Sequence, residues 1–398
     1  MSSAGWRDST LGHEISLLYG KSLPAAVRSP GEVQVYGSNG CVGTHSIAAV
    51  RGPGIIVGRK GSVGEIVFSQ NDFWPIDTTY YVENKRTNNW QFLYYLLLTT
   101  GLKGLNSHSA VPGLNRESAY PLPCSIPSTS EQEKIAAVLW KLQRAIATQD
   151  RLIAAIRDLK QSAMQRLFTH GMRGESLKET EIGLMPESWN PTSIGDIAFV
   201  SSGGTPSRAN PAYWLNGTIP WVKTGEVDYC VINDTEEKIT PQGLQDSAAK
   251  ILPKGTLLLA MYGQGITRGK AAILGIDASV NQACAAIRPR DDRTDPDFLY
   301  YVLTHGYERL RGLAHGGQQQ NLNADLIRGF SFGLPTDTDE QRDIAAALAT
   351  LDRKLAHHQH KRAALNDLFQ TMLHQLMTAQ IRVVDLDIDT SEVAARAG

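Results

Sequence analysis

Glu131-Gln132-Glu133-Lys134-Ile135-Ala136-Ala137-Val138-Leu139 returns in the second half of the chain as Glu340-Gln341-Arg342-Asp343-Ile344-Ala345-Ala346-Ala347-Leu348. Each copy opens a helical run of about forty residues. Upstream, Phe92-Leu93-Tyr94-Tyr95 returns as Phe298-Leu299-Tyr300-Tyr301. Further out, Trp6 stands five residues before Leu11-Gly12, and Trp189 stands five before Ile194-Gly195. Four landmarks in one order, twice, mean two similar globular domains, each followed by a long helix. The fold class this implies is α+β: two mixed α/β domains and two long helices, disposed as a pseudo-two-fold object suited to a two-part target.

The 398 residues allow two to four domains. A hydrophobic fraction of 42% and a charged fraction of 20% are ordinary for a soluble globular protein. No apolar run approaches a membrane span. The first twenty residues lack a basic start followed by an apolar stretch, so no signal peptide is expected. Cys41, Cys124, Cys230 and Cys284 stand alone, which supports neither a zinc site nor a disulfide framework and fits a reducing cytoplasm. The formal net charge of −1 argues against a general polyanion binder. Residues 1–129 hold 10 Lys and Arg against 8 Asp and Glu, and residues 190–333 hold 13 against 14. Any nucleic-acid contact must therefore come from local clusters, or with a partner's help.

Residues 1–129 read as the first domain. Gly54-Ile55-Ile56-Val57-Gly58 and Gly64-Glu65-Ile66-Val67-Phe68 have the pattern of short strands joined by tight turns. Trp90 to Leu98 reads as a helix, and Pro121, Pro123 and Pro127 read as breakers that close the domain. Residues 130–170 form the first long helix, with Ser130 and Glu133 as a capping box and Gly171 and Gly174 as its stop. Residues 171–189 read as a polar connector, 190–336 as the second domain with longer loops, 337–380 as the second long helix, and 381–398 as a fraying tail.

A seam runs along each helix with alternating spacings of four and three. The first is Ile135, Leu139, Leu142, Ile146, Gln149, Ile153, Ile156, Lys160, Ala163 and Leu167. The second is Ile344, Leu348, Leu351, Leu355, His358, Arg362, Leu365, Phe369, Met372 and Leu376. Gln149 and His358 occupy equivalent places near the middle of their helices. Antiparallel packing about a pseudo-dyad brings them together, and a single polar layer of this kind can fix register. Otherwise both face solvent.

Several segments resemble catalytic signatures and fail on inspection. Asn210-Pro211-Ala212-Tyr213 lacks the second proline of an amino-methyltransferase loop, and no strand with a Gly-x-Gly turn stands ready for S-adenosylmethionine. Gly263-Gln264-Gly265-Ile266-Thr267-Arg268-Gly269-Lys270 lacks phosphate-loop spacing, and Ala271 replaces the required hydroxyl residue. No magnesium-nuclease constellation emerges. His357, His358 and His360 have no carboxylate or cysteine to complete a metal set, so a solvated helix face is expected.

What remains is recognition chemistry. Glycine loops carry cations: Arg59 and Lys60 with Ser62 in the first domain, Arg268 and Lys270 beside Tyr262 and Gln264 in the second. Glycine lets a backbone approach a phosphate, and arginine reads guanine O6 and N7. Ser107 and His108 before Asn115, and Gln318, Gln319 and Gln320 before Asn321, are polar loops near each domain's end. Gln and Asn amides can pair with adenine N6 and N7. Tyr36, Ser38 and Asn39, and Thr205, Ser207 and Arg208, lie in further polar glycine loops. Each loop could also be an ordinary surface turn; their recurrence in both domains favours a shared binding role.

At this point the chain resembles the specificity (S) subunit of a type I restriction–modification system. The resemblance rests on Gly183-x-x-Pro186-x-x-Trp189 with Ile194-Gly195-Asp196-Ile197, and on Tyr36-Gly37-Ser38-Asn39-Gly40 with Gly54 to Gly64. It rests also on the two Glu-Gln-x-x-Ile-Ala helix openings, and it covers nearly the whole chain. It implies two target-recognition domains separated by two antiparallel coiled-coil helices. Each domain would read half of an asymmetric bipartite site in double-stranded DNA. The helices would act as a ruler for the unread spacer and as the dock for two methyltransferase (M) subunits, with restriction (R) subunits left open. The chain would then be no enzyme and hold no cofactor; S-adenosylmethionine, ATP and Mg2+ would belong to partners. One departure is a first domain that starts close to Met1, which suggests an abbreviated N-terminal edge. Two rival classes stay open: a stand-alone enzyme such as a methyltransferase with a damaged motif, and a coiled-coil adaptor between proteins with no DNA role.

Overall fold

The computed structural model describes residues 5–105, 113–263, 266–314 and 321–394. The chain divides into two compact units, Met1–Leu152 with His358–Gly398, and Ile153–His357. The divisions fall inside the two long helices.

The first unit opens with β1 (Arg7–Thr10), the single-turn α1 (Leu11–Glu14) and β2 (Ile15–Tyr19). Then come β3 (Val33–Gly37), β4 (Gly40–His45), β5 (Gly54–Gly58), β6 (Ile66–Ser69), β7 (Phe73–Pro75) and β8 (Thr79–Asn84). The helix α2 (Trp90–Thr99), the short α3 (Arg116–Ala119), β9 (Pro123–Ile126) and the long α4 (Thr129–His170) follow. One antiparallel sheet has the order β2-β8-β5-β6. A second has the order β4-β3-β7, with β3 and β7 parallel, and β1 pairs with β9. Every residue of β5 is buried, as a short apolar run between glycines demands of a central strand. Gly58 must be glycine: a Cβ there would stand 2.1 Å from the Ser62 carbonyl oxygen.

In the second unit, β10 (Leu177–Thr180) and β11 (Gly183–Pro186) form a hairpin before β12 (Trp189–Ser193), α5 (Ile194–Ile197) and β13 (Ala198–Ser202). Next are β14 (Ile219–Val222), β15 (Val231–Ile232), β16 (Glu237–Ile239), α6 (Pro241–Gln245), β17 (Leu257–Ala260), β18 (Ala271–Leu274), β19 (Ser279–Val280) and β20 (Cys284–Pro289). The helices α7 (Pro296–His305), α8 (Tyr307–Gly312) and α9 (Ala324–Arg328), then β21 (Ser331–Pro335) and the long α10 (Thr338–Met377), complete it; α11 (Ser391–Ala394) belongs to the first unit. The sheets repeat the first unit's plan. The order β13-β20-β17-β18 matches β2-β8-β5-β6, with β15 added at the far edge. The order β16-β14-β19, with β14 and β19 parallel, matches β4-β3-β7, and β12 with β21 matches β1 with β9.

The landmarks of the repeat prove to be one hydrogen-bonded clip. Trp6 Nε1 donates to the Glu131 carboxylate at 3.1 Å, and Trp189 Nε1 donates to Glu340 at 3.2 Å. Gln132 Oε1 accepts from the Asn89 amide at 2.8 Å, and Gln341 Oε1 accepts from the Asp295 amide at 2.8 Å. Asn89 and Asp295 are themselves the N-caps of α2 and α7, bonding Phe92 and Phe298. The hydroxyls of Tyr95 and Tyr301 reach Gln143 and Asp352, each at 2.7 Å. Each unit thus ties the first turn of its long helix to its α/β core, with Phe92, Leu93, Phe298 and Leu299 fully buried beside it.

Each unit also holds an antiparallel stretch of the helix pair. In the first, Gln149 is buried and its Oε1 lies 2.8 Å from His358 Nδ1; Asp150 pairs with Arg362 at 2.7 Å and Tyr95 packs on Phe369. In the second, Lys160 pairs with Asp352 at 2.5 Å, and Glu340 accepts from the Met172 amide at 2.7 Å. Of the twenty seam positions only Arg362 is exposed.

Four local expectations change. The helix cap is Ser128, not Ser130: Ser128 Oγ accepts from the Glu131 amide, because Ile126, held extended before Pro127, ends β9 and the helix begins at once. Pro123 opens an edge strand and does not end regular pairing. The connector contains a hairpin. The tail is not frayed up to Ala394: Val383 and Val393 are buried in the first unit's core, with Ile388 packed against it, while Ile381, Val384 and Leu386 stay exposed. No helix among the described residues is long and apolar enough to cross a membrane.

Candidate nucleic-acid interface

In the first unit the turn after β3 and the loop after β5 converge. Ser38 O and Ser62 O both face the Gly58 position, and Ser38 Oγ faces Gly61. Lys60 forms an isolated bridge with Gly113, and the Leu114 amide donates to Arg59 O at 2.9 Å, which brings the residues before α3 to the same place. Asn39 and Lys60 are exposed, and Ser38 and Ser62 are half-buried. Arg59 is held rather than loose: its Cζ sits 5.1 Å from the Tyr19 ring and 5.8 Å from Tyr80, and Nη2 donates to Asp77 O at 2.6 Å. Burial beside Tyr19 pushes the Tyr80 hydroxyl up to about 12. Two residues differ from their expected roles. Tyr36 is buried with its hydroxyl on Gln34 and its ring edge-on to Phe73, so it supports the turn and is not presented. Asn115, though exposed, uses its amide oxygen to cap α3 on the Glu117 amide at 2.9 Å. Ser107 and His108 lie outside the described residues.

In the second unit the loop after β17 is the counterpart of the loop after β5. Tyr262 is exposed, and the Leu322 amide donates to Met261 O at 3.1 Å as Leu114 does to Arg59. Lys270 pairs with Asp228 at 2.6 Å and lies 5.8 Å from the Tyr229 ring. Arg311 Nη1 donates to the Arg268 carbonyl at 3.4 Å and to the Tyr307 hydroxyl at 2.8 Å, bracing the loop from α8. Asn321 is exposed beside it; Gln264, Gln318, Gln319 and Gln320 lie outside the described residues. The loop after β13 meets this region through the segment before β20: Thr205 donates to the Gln282 amide oxygen, and the Met261 amide donates to Ala283 O at 2.8 Å. Ser207 is exposed. Arg208 stacks 3.7 Å from the Trp214 ring centroid and pairs with Glu237, holding that carboxyl below its usual range. A stacked, paired guanidinium gives up little conformational freedom on binding.

The sequence reading missed Tyr19, Arg116, Trp214, Gln282, Tyr307 and Arg311. Arg116 also stacks on Tyr19 at 5.1 Å, and its position next to Asn115 was the available signal. Tyr19, Tyr307 and Arg311 come from a strand and a helix remote in sequence, Gln282 lies in the segment before β20, and Trp214 follows the Pro211–Tyr213 turn, where an aromatic beside Arg208 was the signal. Asn210 caps the turn at Pro211 through the Ala212 amide and holds no base-gripping pocket. His357 and His360 are exposed, and no group of three His, Cys, Asp or Glu could hold a metal ion among the described residues. All four cysteines are free thiols, and burial pushes Cys124 up to about 11 and Cys284 up to about 12.

Two relatives come from Methanocaldococcus jannaschii. The type I restriction enzyme MjaIX specificity subunit is 31% identical over 192 residues, 47% of this chain and 43% of that one. The MjaVIII specificity subunit is 23% identical over 316 residues, 77% of this chain and 73% of that one. The chain thus spans less than half of the first relative's length. The S subunit of a type I restriction–modification system from M. genitalium shares the fold at a TM-score of 0.69 and 17% identity, covering 94% of this chain and 96% of that one. A chain described in terms of complex assembly and conformational transition of a type I R-M system gives 0.55 at 16% identity, covering 95% of this chain and 98% of that one. The model of the type I restriction modification DNA specificity domain matches residues 13–158 and again 186–367, once over each half of the repeat, and the chain belongs to that family.

Proposed function

We propose that this chain is the DNA-recognition subunit of a type I restriction–modification complex, with each unit reading one half of an asymmetric bipartite site in double-stranded DNA. The observation that carries the reading is the repeated sheet plan. It puts the loop after β5 and the loop after β17 at equivalent places, yet gives them different side chains. Equivalent placement suits a common job; different residues suit different half-sites. The polar and cationic groups at these loops, Asn39, Lys60, Ser207, Arg208 and Tyr262 among them, offer donors for base edges and phosphates. The length of the two long helices sets the unread spacer. The chain is not itself an enzyme: two methyltransferase subunits, with restriction subunits in a complete system, bring S-adenosylmethionine, ATP and Mg2+. The complex works in the cytoplasm, where its DNA is.

The near-neutral charge fits a reader that gains phosphate neutralisation from partners closing round the duplex. The test is methylation-sensitive sequencing of DNA from cells carrying this chain with its methyltransferase subunits. A two-part motif is expected, and Arg208→Ala with Gln282→Ala should change one half while leaving the other and the spacer intact. Methylation that ignores the loop substitutions would refute the reading, and a protein adaptor would show no motif at all.

A further inference from the structure

The second unit carries a basic groove that the loops above do not use. Its volume is about 540 Å³, and it follows β13, the edge strand of the five-stranded sheet. Lys250, Arg288, Arg290 and Arg328 line it, and no carboxylate is among the described lining residues. Exposed Phe199 also lines it. Arg290 is fixed by Phe199, with Cζ 4.5 Å from the ring centroid, and by the Gly195 carbonyl at 3.1 Å. Arg328 donates to Val200 O at 3.0 Å and pairs with Asp325. Asp196 stands near Arg290 but is bonded to Ser193. The side chains of Lys250 and Arg288 are exposed and make neither a hydrogen bond nor an ion pair among the described residues.

We propose that this groove binds the sugar-phosphate backbone of duplex DNA, extending the contact of the second unit beyond its base-reading loops. The proposal rests on the DNA-recognition reading. Three observations carry it. First, the groove is continuous with a reading loop: β13 runs directly into Gly203–Arg208, and Gly204 packs so tightly on Ala248 and Ala249, the residues before Lys250, that a Cβ would lie 2.3 Å from the Ala248 carbonyl carbon. Second, two side chains are fixed by carbonyls and an aromatic ring while two are unpaired, which suits phosphates more than a compact ion. Third, the first unit keeps one of these cations but not Arg288 or Arg328. There Lys85 holds the Gly12 carbonyl as Arg290 holds Gly195, so the strands align. In that alignment Ser16 faces Glu83 where Phe199 faces Arg288, and Tyr120 stands against Gly12 where Arg328 stands against Gly195. A docking surface for identical subunits would recur in both units; a DNA contact particular to one half-site need not.

The test uses the full complex with its methyltransferase subunits on a duplex bearing its methylated site. Binding is measured against salt for the wild type and for Lys250→Gln with Arg288→Gln. The double variant should flatten the slope of log affinity against log salt by about two, near 0.9 per phosphate contact, while methylation sequencing returns the same motif. An unchanged slope with specific binding intact overturns the proposal and leaves the cations as guards of an exposed strand edge. Loss of subunit association with an unchanged slope overturns it in favour of an acidic protein segment. A wild-type complex that prefers no sequence refutes the DNA-recognition reading itself, a separate failure.

Discussion

At the scale of single residues, two polar contacts inside the apolar framework of the first unit decide most. The bond between Gln149 and His358 is a hydrogen-bonded layer in a seam that, apart from the exposed Arg362, is built in this unit from Ile, Leu, Phe and Met. Replacing both partners by Leu removes one buried and one half-buried polar group together, so the double variant should melt higher, with register less strictly fixed. Gln149→Leu alone leaves the imidazole without this partner and should cost about 1 kcal/mol without unfolding the chain. Thermal melts of the three variants check this, and a single variant more stable than the double would contradict it. The second contact is bidentate: Arg382 Nε and Nη2 reach the two Glu131 oxygens at 2.7 and 2.8 Å. Burial pushes the Glu131 carboxyl up, but Arg382 and then Trp6 outweigh it and hold the carboxyl below its ordinary value. A carboxylate with a lowered folded value stabilises fully above its ordinary range, and that support disappears as pH falls through the lowered value. Arg382→Met should therefore lose about 2 kcal/mol at neutral pH, discounted for the arginine's partial exposure, and the gap to wild type should narrow as pH falls through and below the ordinary glutamate range. Melts at neutral and acid pH read it, and a gap that widens in acid would reject it.

At the scale of elements, the Glu-Gln openings work as joints between a helix start and a helix cap. Gln132 accepts from Asn89 and donates to Asn88 Oδ1 and Pro127 O at 2.9 and 3.1 Å. Gln341 accepts from Asp295 and donates to Arg293 O and Pro335 O, both at 2.9 Å. Both side chains are buried, so an isosteric Met would strand an amide and two carbonyls, all buried around Gln132 and part-buried at Asp295 and Arg293 around Gln341. Gln132→Met and Gln341→Met should each cost about 2–3 kcal/mol. Hydrogen exchange should show faster opening of α2 in the first variant and of α7 in the second; a variant that loosens neither helix would refute the joint. These joints also show where the sequence was legible. The seam spacing and the Trp, Phe-Leu-Tyr-Tyr and Glu-Gln landmarks were visible because each is a local pattern imposed by a buried face. That the landmarks bond one another was not visible, because Trp6 and Glu131 lie far apart along the chain. Sheet pairing was hidden for the same reason: β5 read as a strand from its apolar run, but nothing local said that β8 lies on one side and β6 on the other. The loops named as readers suffered most. Tyr36 and Asn115 looked available on composition; tertiary packing buries the first, and a local cap on the Glu117 amide takes the side-chain oxygen of the second.

At the scale of the whole molecule, the two units repeat one sheet plan but complete it differently. In the second unit the chain leaving α4 closes the clip: Gly171 takes a φ of +62°, and the Met172 amide bonds Glu340. In the first unit the chain leaving α10 does so with a side chain, Arg382 on Glu131, after Ala379 at a φ of +55°. The tail then stays on the first unit, where Lys134 donates to Val384 O at 2.7 Å and Lys141 donates to Asp389 O at 3.2 Å. It buries Val383 and Val393. Residues 383–393 are thus part of the core built by the first unit's N-terminal strands and helices. Ending the chain after Thr378 should remove two buried valines, each worth about 1.5 kcal/mol at the low end, together with the Arg382 contact of about 2 kcal/mol. The first unit should lose about 5 kcal/mol. The second should keep its stability, because its own clip uses Met172 and not the tail. Hydrogen exchange separates the two: amides of Leu93 to Leu97 should lose protection while those of Leu299 to Leu303 keep it. Equal loss in both sets would mean that the units fold as one cooperative body, and no loss in either would mean that the tail contributes nothing to the core it covers.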